Sequence, residues 1–134
     1  MNYYGAGRTN YVRISDMDGL EAALNEKIIG LDMDFDQEGR CCFLCDSEGG
    51  YPYLQDLDEF DWGADIMPFV EPGQVLVFMQ SGAEGLRYVT GYASAYIKDT
   101  YGQIRQVEIN LDDIYEMAVQ KFGVPWESIS AAEY

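Results

Sequence analysis

Between residues 31 and 36 the chain alternates apolar and acidic side chains without a break: Leu31-Asp32-Met33-Asp34-Phe35-Asp36. An α-helix would scatter these residues around its whole circumference. A β-strand puts Leu31, Met33 and Phe35 on one face and the three aspartates on the other. The pattern therefore demands a strand with one face on a core, and a register slip of one residue would bury the acids. Gln37-Glu38-Gly39-Arg40 has turn chemistry, and Cys41 to Cys45 return as a mostly apolar strand. Residues 31–45 are thus expected to form a β-hairpin.

The aspartates belong to a wider bias. The chain carries 24 acids against 8 bases and no histidine, a formal charge of −16 that is unevenly spread. Residues 1–15 hold Arg8 and Arg13 and no acid, a balance of +2. Residues 16–66 hold 15 acids against Lys27 and Arg40, or −13, and residues 67–134 hold nine against four bases, or −5. A uniform acidic coat of the halophilic kind would not concentrate in this way. Repulsion of this size opposes compaction, so the charge points to a use. Hydrophobic residues make up 48% of the chain, too many for a disordered acidic tail.

The remaining segments complete a fold. Tyr11 to Ile14 read as a first strand. Ser15 or Asp16 offers an N-cap, and Leu20, Ala23, Leu24 and Ile28 recur at helical spacing as far as Gly30. Residues 46–73 lack a period and contain four glycines and three prolines, so a long, irregular acidic loop is expected there. Three strands follow, over 75–80, 86–98 and 104–109. A second helix then runs from Leu111 to Phe122, capped by Asn110 and stopped by Gly123. The order is β-α-β-β, loop, β-β-β-α. It predicts one α+β domain over residues 1–134, a mainly antiparallel sheet with two helices packed on one face.

Several chemistries find no support. Asp32-x-Asp34-x-Asp36 lacks the glycine and the terminal glutamate of a calcium loop, since Gln37 and Phe43 occupy those places. Cys41, Cys42 and Cys45 are one ligand short of a structural zinc site, and buried small hydrophobes are the reading that fits. The missing histidine removes the commonest general base. Carboxylate pairs such as Asp58–Glu59 and Asp112–Asp113 are too plentiful to single one out. No phosphate-binding glycine motif sits at a strand-to-helix junction. No enzyme activity, cofactor or metal is expected.

What remains is the acid field. Asp32, Asp34, Asp36 and Glu38 lead into Asp46 and Glu48, and then to Asp56, Asp58, Glu59, Asp61 and Asp65. Alternate carboxylates on one strand face repeat every ~6.8 Å, the same several-ångström range as nucleic-acid phosphates. Tyr51 and Phe69 are expected to pin the loop to its own core. Phe60 and Trp62 are left open between that role and anchoring a partner, and Trp62 is counted with the binding residues.

The expected function is that of an acidic, protein-binding inhibitor from a phage or mobile element. It would act as a DNA mimic against a host restriction or CRISPR effector, and small antirestriction and anti-CRISPR proteins share this composition. The expected partner is a basic nucleic-acid-binding protein or nuclease, with no direct binding of nucleic acid or membrane. The alternatives are an immunity or antitoxin protein covering a basic toxin, and a carboxylate-dependent enzyme. Neither a leader nor a membrane-spanning stretch is read in the sequence, and the cytoplasm is the expected location.

Overall fold

A computed structural model describes residues 3–46, 50–56, 58–84 and 88–132. Its elements in chain order are β1 (Tyr3–Thr9), α1 (Met17–Glu26), β2 (Ile28–Ile29), β3 (Leu31–Phe35) and β4 (Cys41–Cys45). Then come β5 (Tyr53–Leu54), α2 (Trp62–Asp65) and a 3-10 turn at Met67–Phe69. The chain continues through β6 (Val75–Glu84), β7 (Tyr88–Lys98), β8 (Ile104–Asn110) and α3 (Asp113–Phe122), with a last 3-10 turn at Trp126–Ser128.

The fold is α+β. Six strands form one antiparallel sheet in the order β3-β4-β1-β6-β7-β8, and β2 pairs separately with β5. The hairpin of β3 and β4 forms in the register that its alternation requires, Leu31 opposite Cys45 and Phe35 opposite Cys41. Its turn is held by Asp36, whose Oδ1 accepts from the amides of Glu38 (3.0 Å) and Arg40 (2.8 Å). Asp16 caps α1 by accepting from the Gly19 amide at 3.0 Å. That helix ends at Glu26, before Ile28, which is buried as part of β2.

The first strand differs from expectation. Tyr11–Ile14 contributes only isolated bridges, Val12 with Cys41 and Ile14 with Val70. The central strand is instead the glycine-rich segment Tyr3–Thr9, which lies between β4 and β6. Glycine is required there: a Cβ on Gly7 would collide with the Gly50 carbonyl oxygen and press on the Phe78 ring.

Residues 46–73 also differ. Apart from 47–49 and 57, which fall outside the described residues, this stretch is a structured layer over one sheet face. Phe60, Trp62, Ile66, Met67 and Val70 are all buried in it. Trp62 stacks edge-on to Phe60 at 4.9 Å between ring centroids and lies 4.7 Å from Phe78 of β6. This layer and α1 bury the inner sheet face, which carries Leu31, Phe43, Leu76, Phe78 and Tyr96.

The C-terminal helix is not packed where expected. Of the two expected helices only α1 joins the core; α3 has no buried residue, with its main contacts to β8 and the Trp126–Ser128 turn. Its apolar side chains stay open to solvent, Phe122 at 72% exposure. The outer sheet face is bare as well: Met79, Val107 and Ile109, each more than 60% exposed, stand on it beside Ala93 and Ala95. No helix among the described residues is long and apolar enough to cross a membrane.

Candidate interaction surface

The sheet divides the acids into two groups. Asp32 and Asp34 alternate with the core residues Leu31 and Met33 and so lie on the outer face. Asp56, Asp58, Glu59, Asp61 and Asp65 belong to the layer covering the inner face. Glu48 lies outside the described residues.

Within the outer group each carboxylate has a different neighbour. Asp32 is hydrogen-bonded to Asp46, and that shared proton together with the Asp46 charge raises its pKa. Asp34 accepts from the Tyr11 hydroxyl at 2.9 Å, a bond that helps push the phenol up to about 12. Asp36 is partly desolvated, which opposes its charge. The Arg40 and Glu38 amides and the Arg40 guanidinium at 2.7 Å outweigh that and hold its pKa below the usual carboxylate range. Asp36 thus serves the turn. Glu38 sits 3.5 Å from Arg40 and 3.9 Å from Arg13.

The inner-layer acids are held by the local backbone. Asp56 accepts from the Asp58 amide (3.1 Å), and Asp61 caps α2 by accepting from the Gly63 amide (3.0 Å). Asp65 reaches back to the Asp61 amide at 2.8 Å, which closes a reciprocal capping arrangement. Trp62 between them is fully buried and forms part of the core, so it does not anchor a partner.

Beside this layer opens a cleft of about 670 Å3 that sequence reasoning missed. Its walls combine Glu59 and Asp61 of the inner layer with Tyr51, with Tyr92 and Tyr96 of β7, and with Glu108 of β8. The register explains the convergence: Tyr92, Ser94 and Tyr96 face Asn110, Glu108 and Gln106, so all six point to the inner side. The Tyr51 hydroxyl donates to the Phe60 carbonyl at 3.0 Å. Burial pushes the Tyr51 phenol up to about 12 and raises Tyr92 and Tyr96, with Asp61 and Glu108 adding to the rise at Tyr96. Among the described residues no lysine or arginine lines the cleft. Three carboxylates and three tyrosines lining one space can attract a cation by charge and hydrogen bonding.

The cysteines serve packing. Cys41 and Cys42 are buried and Cys45 half-buried, and burial pushes the Cys41 and Cys45 thiols up to about 12, far from a reactive thiolate. Among the described residues no group of His, Cys, Asp or Glu is arranged to hold a metal ion. No protein-family model matches the chain, and no curated protein or solved structure shows significant similarity to it.

Proposed function

We propose that this protein is an acidic inhibitor that binds the basic, nucleic-acid-binding surface of another protein. The observation that carries this reading is the tyrosine-lined cleft, where Glu59, Asp61 and Glu108 converge with no base among the described residues. An arginine or lysine of the partner would enter it, with its stem against the rings and its charge between the carboxylates. The exposed Asp56 and Asp58 on the adjoining backbone would steer the approach. Their place on a layer pinned by Phe60 and Trp62 means that little ordering is lost on binding. A nucleic-acid-binding effector or nuclease of a host defence system presents such a basic surface. The cleft favours capture of individual basic side chains over imitation of a phosphate row.

Binding is tested by capture of basic effectors and nucleases on the immobilised protein at rising salt. Wild type is expected to retain a partner at low salt and release it as salt increases. Glu108→Gln and Glu59→Gln, which leave the backbone caps intact, are each expected to weaken binding about tenfold. Competition by duplex DNA would place the contact on the partner's nucleic-acid site. Equal affinity for both variants and wild type would reject the cleft.

A further inference from the structure

We infer that the bare outer sheet face is the docking site for helix α3 of a second copy of this chain, and that two copies exchange these helices across a two-fold axis. Two uncovered apolar surfaces occur on the same chain. The first is a groove of about 700 Å3 whose floor is built from Ala6, Ser81, Gly91 and Ala93, with Met79 and Ile109 as walls. Small residues in the floor let a helix approach the sheet closely, and the large walls give it flanks to pack on. The second surface is α3, where Ile114, Met117 and Phe122 all stand mostly exposed.

The helix cannot be explained as fully packed within its own chain. Its half-buried side, Tyr115, Ala118 and Val119, is closed by the returning tail, where the Tyr115 hydroxyl accepts from the Ala132 amide at 2.6 Å. The Ile114 and Met117 side has no such cover. Leu111 starts the helix at the rim of the groove: its amide donates to the Gly91 carbonyl at 2.9 Å, and its side chain lies over Gly91. Asp113 locks the turn by accepting from the Asn110 amide at 2.7 Å.

Charge selects a second copy as the occupant. Two chains of −16 repel, so self-association requires a zone without acids. The outer faces of β1, β6, β7 and β8 are such a zone: among the described residues no acid takes an outward position, and Arg8 and Arg105 do. The first turns of α3 bring the opposite sign in Asp112, Asp113 and Glu116. Each copy supplies one groove and one helix, so a closed pair satisfies both surfaces at once. Stable interfaces bury roughly 1,200–2,000 Å2, and two reciprocal contacts bury twice the area of one.

The test is the mass of the full-length protein in solution, by light scattering and sedimentation over a range of concentrations. Wild type is expected to be a dimer, and Ile114→Asp with Met117→Asp a folded monomer, as is Ile109→Glu in the groove. Mixing the helix variant with the groove variant leaves one intact contact and is expected to restore a weaker dimer. Hydrogen exchange on wild type supplies a readout that needs no substitution: dilution to monomer should deprotect α3 and the groove strands together. A monomeric wild type overturns the inference. So does a dimer that survives both variants, or one whose α3 amides do not respond to dilution.

Discussion

Asp32 and Asp36 stand four residues apart, yet their surroundings give their charges opposite consequences. Asp36 has its pKa lowered by two amides and Arg40, so it contributes stability above the unfolded carboxylate pKa and loses it as pH falls through its folded value. Asp32 has its pKa raised by Asp46, so its contribution is favourable only in acid and disappears as pH rises through its folded value. Asp36→Asn is therefore expected to destabilise the protein at neutral pH, with the gap to wild type closing in acid. Asp32→Asn is expected to stabilise it at neutral pH and to lose that advantage in acid. Urea titrations at neutral and acid pH compare the two, and equal effects of the same sign would contradict these assignments. Nothing in the alternation of 31–36 separates these residues; only the partners supplied by Arg40 and Asp46 do.

Elements were legible where periodicity acted alone. The 31–45 hairpin and α1 follow from spacing, because an apolar stripe on a strand or helix has one way to face a core. β1 was hidden because Gly5 and Gly7 have low strand propensity, and the value of Gly7 lies in letting Gly50 approach closely. Residues 46–73 looked like a loop because their burial is set by the sheet face beneath and not by any repeat along the chain. The cleft was hidden for the same reason: Glu108 and Glu59 lie far apart in sequence, and only the covering layer on β7 and β8 brings them to one space. If that segment is core, Trp62→Ala should cost about 3–5 kcal/mol, in line with large-to-small changes among aromatic neighbours. Urea unfolding followed by tyrosine fluorescence measures it. A cost under about 1 kcal/mol would mean that the layer does not rest on this ring.

For the whole molecule, most of the charge is left without an opposite partner. Ion pairs among the described residues involve only Asp36 and Glu38, with Arg13 and Arg40. Neutral salt screens the remaining repulsion over a Debye length of about 8–10 Å, so the melting temperature should rise with ionic strength. Thermal melts in sodium chloride at fixed pH test this, and a fall in the melting temperature would show that attraction between charges dominates. The architecture also sets an order of events during synthesis. β1 leaves the ribosome before its partners β4 and β6, and Tyr3 meets Glu84 at the far end of that ladder. The middle of the sheet stays open until most of the chain has emerged, so folding must wait for contacts of long sequence separation. Removing β1 would take out a keystone strand, leaving a β3–β4 hairpin and a β6–β7–β8 meander with no strand between them.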